Sequence, residues 1–197
     1  MSKSKQYNFF AYMARMKLIR RWGLMRSLVQ ENIAEHSAQV AQIAHALALI
    51  KNKKFGGNLD AGRVATMALY HEVSEVLPGD LPTPIKYYNP EIRTAYKEIE
   101  SIANEKLIGM LPDELRDEYR ELIVLEPDSH EAVLVKAADK IAAYIKCLEE
   151  LRSGNREYAK AEISLRGAVK EYYVYEEVRY FCATFLDTFR KTLDELD

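Results

Sequence analysis

Long apolar runs and an excess of either charge are both missing from this sequence of 197 residues. The longest apolar stretches are short, AHALALI being interrupted by His45, and none approaches the roughly 20 residues that a membrane-spanning helix needs. The chain has 28 lysines and arginines against 30 aspartates and glutamates, so its net charge of -2 gives no overall attraction for nucleic acid or an anionic membrane. We therefore expect a soluble protein in which any preference for phosphate is local.

Cysteine is also scarce. Cys147 and Cys182 are the only two, and they lack the C-x-x-C spacing of a zinc or redox site. We interpret both as small buried apolar residues in a reducing compartment and assign them no function. The N-terminal stretch MSKSKQYNFF is basic, but the apolar region and cleavage pattern of a secretion signal do not follow it. The expected location is therefore the cytoplasm.

Helical periodicity, in contrast, runs along nearly the whole chain. Apolar residues recur at spacings of three and four, and no segment shows a convincing run of strand-type alternation. Since 48% of the residues are hydrophobic, one domain spanning residues 1–197 with a sizeable core is expected. We predict an all-α, single-domain helical bundle. The predicted helices are 8–19, 34–53, 60–77, 90–110, 112–122, 129–152, 157–170 and 173–195.

The segment YHEVSEVLPGDLPTP, residues 70–84, combines a predicted helix end with a cluster of acids. On a helix, His71 and Glu75 are four residues apart and share a face, while Glu72 lies about 100° away and can still reach the same point. The prolines that follow prevent the helix from continuing, so Asp80 belongs to a rigid loop. These residue types fit a metal or acid-base site, and clustered carboxylates at a polar helix terminus are the alternative.

Three other stretches carry polar residues that need a reason. In ENIAEHS, His36 lies at the start of a long apolar helix. It is either a metal ligand or a surface histidine. In VKAADKIAAY, Asp139 lies in an apolar helix, where a buried charge costs several kcal/mol unless a cation compensates; a solvated edge with Lys140 is the alternative. In KLIRRWGLMR, Arg21 and Trp22 can form a corner that binds an anion and a ring, or a solvated basic face.

Taken together, these residues resemble a known arrangement. The order of His36, His71 with an acid after it, and Asp139 resembles the H...HD...D pattern of the HD-domain metal-dependent phosphohydrolases. Within that superfamily, four stretches resemble the bacterial 5'-deoxynucleotidases of the YfbR type, and the resemblance extends from about Phe9 to Gly154. These stretches are RRWGLMR, EN-x-x-EHS, YHEVSEVLPGDLPTPIKY and D-x-x-x-x-Y-x-KCLEEL.

The resemblance implies a helical domain, commonly a homodimer, that removes phosphate from deoxyribonucleoside 5'-monophosphates. It also implies a divalent cation, for which cobalt or manganese is expected. The metal ligands implied are His36, His71, Glu72 and Asp139. The catalytic residues implied are Glu75, which handles protons near the attacking water, and Arg21, which orients the phosphate. The implied substrate contacts are Arg21 at the phosphate, Trp22 against the sugar, where it disfavours a 2'-hydroxyl, and Asp80, Leu81, Pro82 and Thr83 at the nucleoside.

This chain departs from the pattern at one position, because it has HE where the family signature reads HD. Glu72 either ligates the metal through an adjusted rotamer, binds it more weakly through water, or marks a nucleotide-binding or sensing protein with an impaired metal centre. A triphosphate hydrolase of the HD type is a further alternative, with Arg20, Arg26 and Lys86 as candidate phosphate contacts. The segment EYYVYEEVRYF at 171–181 either faces a second subunit or packs on the core.

Overall fold

Helices make up the regular structure of this chain. The computed structural model describes residues 6–86 and 88–196, except for the side chain of Thr83. Within these residues no strand occurs, and an isolated antiparallel bridge joins Arg20 to Asn32. The prediction of an all-α protein is therefore confirmed.

The α-helices, in chain order, are α1 (Phe9–Met13), α2 (Ile33–Lys54), α3 (Ala61–Leu69), α4 (Thr83–Lys86), α5 (Pro90–Ile108), α6 (Arg116–Ile123), α7 (His130–Arg152), α8 (Ala159–Glu171) and α9 (Glu176–Phe185). Short 3₁₀ helices lie at Met16–Leu18, Val73–Val76, Asp113–Leu115, Arg156–Tyr158, Tyr172–Val174, Leu186–Arg190 and Leu193–Glu195. In the part of the chain that the structure describes, none of the helices is both long and apolar enough to cross a membrane.

Two long helices, α2 and α7, form the centre of the larger core, and α3, α8 and α9 pack around them. Helix α2 begins with a capping box, in which the Asn32 side chain accepts hydrogen bonds from the backbone of Ala34 and Glu35, and Glu35 accepts one from the backbone of Asn32. Helix α7 begins at the Ser129 cap. These two caps determine where α2 and α7 start, and each helix carries one of the predicted metal ligands.

A smaller apolar cluster lies beside this core and supports the segment after α3. Its members come from α1, the first 3₁₀ helix, the start of α2, the 3₁₀ helix Val73–Val76, the end of α5 and α6. The residue that links it to the acidic segment is Val73, which is 1% exposed. The segment that contains His71, Glu72 and Glu75 is therefore held on both sides by buried apolar residues.

Three predicted helices are each divided into an α-helix and one or more separate 3₁₀ helices, which the apolar pattern did not indicate. The prediction of 8–19 corresponds to α1 and a separate 3₁₀ helix, 60–77 to α3 and a 3₁₀ helix, and 173–195 to α9 flanked by 3₁₀ helices. A 3₁₀ helix also brings residues three apart onto one side, so apolar spacing alone did not distinguish the two geometries. The short helix α4 was not predicted, and it accommodates Pro84 in its first turn, where the missing N–H is tolerated.

The cysteines and the tyrosine-rich segment pack as apolar elements. Cys147 and Cys182 are free and buried, as expected, and burial raises the pKa of their thiols to about 12 and about 11. Tyr172, Tyr173 and Tyr175 pack against the larger core, which favours the core-packing interpretation of residues 171–181.

A buried ion pair on α7 holds the loop that precedes α2. Glu150, which is 2% exposed, accepts hydrogen bonds from Lys146 Nζ at 2.6 Å and from the backbone N–H groups of Leu28 and Val29 at 3.0 and 3.2 Å. Asn155 Nδ2 donates a further bond at 2.8 Å. Burial by itself would raise the pKa of Glu150, but these donors outweigh it and lower the pKa from 4.5 to about 2.

This lowered pKa predicts how stability depends on pH. Because the folded pKa lies below the unfolded one, the contribution of Glu150 is complete above about pH 4.5 and is lost as the pH falls towards 2. The gap between 4.5 and about 2 corresponds to roughly 3 kcal/mol. Urea unfolding at pH 7, 4.5 and 3.5 should therefore show a stability difference between the unaltered chain and Glu150→Gln that shrinks below pH 4.5. Glu98→Gln, at an exposed position on α5, provides the control, and a difference between the unaltered chain and Glu150→Gln that stays constant with pH would contradict the assignment.

Candidate metal centre

His71 lies just after α3 and has one ring nitrogen free to bind a ligand. The helix ends at Leu69, and the chain turns through Tyr70 into the 3₁₀ helix that follows. The Nδ1 atom of His71 lies 2.7 Å from the Ala68 carbonyl oxygen, which can only accept, so Nδ1 carries the proton. The buried Nε2 atom then presents a lone pair and has no hydrogen-bond partner among the described residues.

His36 occupies the first turn of α2 and is fully buried. Its Nε2 atom lies 3.0 Å from Asp139 Oδ1 on α7, and its Nδ1 atom lies 3.7 Å from Glu31 Oε1. Burial lowers the pKa of His36, as does the Arg21 charge, but the hydrogen bond to Asp139 and the nearby carboxylate of Glu31 outweigh both and raise the pKa to about 9. Each nitrogen of this ring therefore faces a carboxylate.

Asp139 projects from the apolar helix α7 into the same place. Its Oδ1 atom faces His36, and its Oδ2 atom accepts a hydrogen bond from Lys140 at 2.9 Å. Burial favours the neutral acid, but the bond from His36 and the Lys140 charge hold the pKa of Asp139 well below its usual range. The ion pair with Lys140 does exist, but the other oxygen is directed towards the two histidines.

Glu72 brings the second carboxylate into the group. Its Oε1 atom lies 3.8 Å from the Nε2 atoms of both His36 and His71, and it also contacts the Arg21 guanidinium. Its Oε2 atom is buried without a hydrogen-bond partner among the residues described. One ligand atom each from His36, His71, Glu72 and Asp139 lies within 4.8 Å of the other three.

This donor set fits a divalent cation. Two imidazole nitrogens and two carboxylate oxygens are typical ligands of first-row transition metals and zinc. Ligands on opposite sides of one ion with bonds of about 2.1 Å are about 4 Å apart, so the observed spacing requires only a small contraction. The unpartnered atoms, His71 Nε2 and Glu72 Oε2, are the ones that an ion would satisfy.

His71 and Glu75 do not share an α-helical face, contrary to the prediction. His71 and Glu72 lie in the turn after α3, and Glu75 lies in the 3₁₀ helix. The α-helix ends early because the Tyr70 and His71 N–H groups bond to carbonyls three residues back, as in a 3₁₀ turn. The turn nevertheless directs both His71 and Glu72 towards His36.

Arg21 is positioned against the carboxylates by the loop before α2. Its Nε atom lies 3.2 Å from Glu31 Oε2, and its Nη1 atom contacts Glu72. Burial disfavours the charged guanidinium, but the charges of Glu72, Asp139 and Glu31 raise its pKa further above the ordinary value. Arg21 therefore remains a fixed cation beside the ligand cluster.

Trp22 is held in an unusual backbone conformation next to Arg21. Its φ of 60° lies in the left-handed region, which a bulky residue rarely adopts. Its indole Nε1 donates to Glu31 Oε2 at 2.7 Å, and its ring lies 5.2 Å from the ring of Tyr158. The half-buried indole is therefore fixed on two sides.

Glu75 is a buried acid just outside the ligand cluster. It is 5% exposed, and its Oε2 atom has no hydrogen-bond partner in the described part of the chain. Burial, followed by the charges of Glu72 and Asp80, raises its pKa to about 9. Burial also raises the pKa of Asp80. Two carboxyl groups with raised pKa values thus lie close to the carboxylate of Glu72.

The remaining predicted substrate contacts lie in the loop after this segment. Gly79 has a φ of 86°, a conformation suited to glycine, and this turn leads to Asp80, Leu81 and Pro82, all half-buried. The side chain of Thr83 lies outside the described part of the structure.

Glu31 is the site residue that sequence reasoning did not assign. Its two oxygens contact the side chains of Arg21, Trp22 and His36. It orients a ligand histidine and both residues of the RW pair at once. No spacing rule marked it, because its partners lie on both sides of the loop before α2.

Structural comparison identifies the class to which this fold belongs. A crystal structure of an HD-domain phosphohydrolase from Listeria innocua superimposes with a TM-score of 0.81 at 24% identity, covering 92% of this chain and 88% of that one. An HD phosphohydrolase of cyanophage S-2L, solved with dA and one catalytic Zn²⁺ ion, gives a TM-score of 0.65 at 19% identity, covering 95% and 98%. The fold is that of the HD-domain proteins.

Sequence comparison identifies the family within that class. The family model for 5'-deoxynucleotidase YfbR-like proteins matches residues 8–189. A 5'-deoxynucleotidase of Vibrio cholerae serotype O1 is 56% identical over 193 residues, covering 98% of this chain and 99% of the relative. The 5'-deoxynucleotidase YfbR of Salmonella paratyphi B is 53% identical over 193 residues, covering 98% and 96%. This chain belongs to the 5'-deoxynucleotidase YfbR-like family, and the resemblance inferred from its sequence is confirmed.

Proposed function

We propose that this chain hydrolyses deoxyribonucleoside 5'-monophosphates to the deoxynucleoside and phosphate, with a divalent cation held by His36, His71, Glu72 and Asp139. The observation that carries the proposal is the convergence of these four donors within 4.8 Å, with a buried arginine in contact with one of them. Metal storage alone would not require that arginine. The family to which the chain belongs supports the same activity.

The two imidazoles and two carboxylates are proposed to hold the cation. When bound, a divalent cation lowers the pKa of water and neutralises charge on phosphate. His71 is suited to this role because its Nδ1–H is committed to the Ala68 carbonyl, leaving Nε2 as a lone-pair donor. Glu31 lies on the Nδ1 side of His36 and can hold that proton while Nε2 turns to the cation.

Glu75 is the proposed proton carrier. In hydrolysis, water oxygen forms a bond to phosphorus and gives up a proton, the bond from phosphorus to the 5'-oxygen breaks, and the departing oxygen takes up a proton. Glu75 is proposed to donate the second proton and, once ionised, to accept the first. With a pKa raised to about 9, the carboxyl group of Glu75 holds a proton at neutral pH and can supply it. Its lack of a hydrogen-bond partner within the described structure leaves one oxygen available to water or substrate.

Arg21 and Trp22 are the proposed contacts to phosphate and sugar. A guanidinium matches two phosphate oxygens at once, and Arg21 remains charged beside the ligand cluster. An indole fixed against Tyr158 offers a flat, apolar surface on which an added 2'-hydroxyl would lose its hydrogen bonds to water. Asp80, Leu81, Pro82 and Thr83 are proposed to contact the nucleoside.

Several finer features belong to the same proposal. Cobalt or manganese is the proposed metal, because the mixed nitrogen and oxygen donor set suits these ions. The protein is proposed to act in the cytoplasm as a homodimer of single-domain subunits, each formed by residues 1–197.

The test is phosphate release from dAMP, AMP and dATP by protein that has been stripped with chelator and reloaded with cobalt, manganese, magnesium or zinc. We expect metal-dependent release from dAMP at a rate at least about tenfold above that from AMP, since one misplaced hydroxyl costs roughly 1–3 kcal/mol. Equal rates for dAMP and AMP would contradict the role of Trp22. Release from dATP alone would contradict a monophosphate substrate. Thermal stabilisation by dAMP without phosphate release would indicate a binding protein.

A further inference from the structure

The loop between α1 and α2 carries two proposed substrate contacts but has little regular structure of its own. Its ends are closed by the bridge between Arg20 and Asn32, and the Arg21 N–H donates to the Glu31 carbonyl at 2.9 Å. Between these ends the chain runs through residues 23–30 before returning to α2. The position of Trp22 therefore depends on what holds residues 23–30.

Apolar packing does not hold residues 23–30. The side chains of Leu24, Leu28 and Val29 are 67%, 62% and 69% exposed. Hydrogen bonds reach this segment instead, and most of them are made to its backbone. Glu150 accepts from the Leu28 and Val29 N–H groups, Lys146 donates to the Val29 carbonyl at 2.5 Å, and Asn155 donates to the Arg26 carbonyl at 2.7 Å.

Most of these contacts converge on one buried group, apart from the hydrogen bond from the Arg26 N–H to Glu157 Oε1 at 3.1 Å. The two oxygens of Glu150 together accept from Lys146, Asn155 and the two loop N–H groups, so this single carboxylate links α7, the residues after it and the loop. Glutamine would keep one accepting oxygen and turn an NH₂ group towards the two donors that the other oxygen now serves. A buried donor without an acceptor lowers the stability of the folded state by about 1–3 kcal/mol. The loop backbone would therefore shift to find other acceptors.

Such a shift would reach Trp22 through Tyr158. The Tyr158 hydroxyl lies 2.5 Å from Ser27 Oγ in the loop, and its buried ring packs against the Trp22 indole. Trp22 is thus bound to the loop on one side and to a ring anchored by the same loop on the other. Its left-handed backbone conformation is unfavourable for tryptophan and persists only while these contacts are in place.

We infer that Glu150 is a positioning residue for Trp22 and, through Trp22, for the discrimination between deoxyribose and ribose. The part about discrimination rests on the proposed function. Glu150 acts only through the loop, because its described partners are Lys146, Asn155 and backbone N–H groups.

The test uses the fact that Trp22 is the sole tryptophan of the chain. Intrinsic fluorescence excited at the long-wavelength edge of the indole absorption, where the 13 tyrosines absorb little, therefore reports on this indole alone. In Glu150→Gln we expect a shift of emission to longer wavelength and acrylamide quenching increased about twofold, because the local structure around the indole loosens. Glu149→Gln, the matched exposed neighbour, should resemble the unaltered chain in both measurements. Unchanged emission and quenching in Glu150→Gln would overturn the inference.

A kinetic measurement tests the link to selectivity. With metal-loaded protein, Glu150→Gln should lower the ratio of kcat/KM for dAMP to that for AMP about tenfold, and KM should change more than kcat. Both substrates are compared on one preparation, so partial unfolding cancels in this ratio. A ratio equal to that of the unaltered chain would overturn the role in selectivity.

A milder variant guards against failure to fold. Asn155→Ala removes two hydrogen bonds of the network and the cap from Asn155 Oδ1 to the Glu157 N–H, and it leaves the Glu150–Lys146 pair in place, so it should give the same changes at smaller amplitude. If the unaltered chain released no phosphate from dAMP, the proposed function would fail, but the quenching comparison would still decide whether Glu150 positions Trp22.

Discussion

Asp139→Asn is expected to lose its metal and, with it, at least about a thousandfold of the rate of phosphate release from dAMP. Asparagine has almost the same shape as aspartate but no charge, so Glu72 would remain as the only carboxylate among the four donors. A cation contributes several kcal/mol to the stabilisation of charge at phosphate, and each 1.36 kcal/mol is a factor of ten in rate. The measurement is metal content per chain after desalting, together with the initial rate of phosphate release.

The matched control is Asp187→Asn, which makes the same chemical change at an exposed site on the 3₁₀ helix Leu186–Arg190. This control should retain one metal ion per chain and nearly the full rate. If Asp139→Asn kept both its metal and its rate, Asp139 would be an ordinary partner of Lys140, and the ligand set would be wrong.

Glu75→Gln is expected to lower kcat by roughly 10²- to 10⁴-fold while the metal content stays the same. Glutamine preserves the size of the side chain but cannot carry the acidic proton that Glu75 holds at a pKa raised to about 9. The 3₁₀ helix should remain in place, because Val73, not Glu75, anchors it in the apolar cluster. Steady-state kinetics and metal analysis on the same sample separate this result from that of Asp139→Asn.

Glu100→Gln provides the comparison, since Glu100 pairs with Lys86 at 2.8 Å and has no assigned role in the site. Its kcat should remain within a factor of about two of the unaltered value, as expected for a substitution on the protein surface. A fall in kcat for Glu75→Gln no larger than in this control would remove Glu75 from the mechanism. Loss of the metal in Glu75→Gln would instead assign Glu75 to the ligand set.

The helical fold could be predicted from the sequence because apolar spacing reports directly on which residues are buried. Helices α2 and α7 were predicted to within a residue of their bounds at most ends, since capping residues and a proline or glycine lie near those ends. The breaks at Ala14 and Tyr70 could not be predicted. Both are changes from α to 3₁₀ geometry, which preserve the spacing of apolar residues.

The four residues that cluster could be named from the sequence because each has a type that is costly in an apolar setting. His36 and Asp139 lie on different helices, and their side chains meet at 3.0 Å. The order of residue types along the sequence indicated this proximity only through the family resemblance. The residues that position these side chains and the loop beside them were harder to predict. Glu31 and Glu150 act through contacts that depend on the path of an irregular loop, and neither local propensity nor periodicity describes such a path.

The central claim is that Glu72 completes a working metal centre although the family signature has aspartate. Its carboxylate lies 3.8 Å from both histidine nitrogens, and one of its oxygens has no hydrogen-bond partner among the described residues. An added methylene lengthens the side chain, and the turn after α3 accommodates it.

The most direct test is metal-dependent phosphate release from dAMP by the unaltered chain, beside Glu72→Asp and Glu72→Gln, after removal and return of the metal. The account predicts that the unaltered chain is active, that Glu72→Asp is also active, and that Glu72→Gln, which keeps the shape but not the charge, loses both metal and activity. Activity in Glu72→Asp alone would contradict the account, because the chain with glutamate would then bind nucleotides without a functional metal centre.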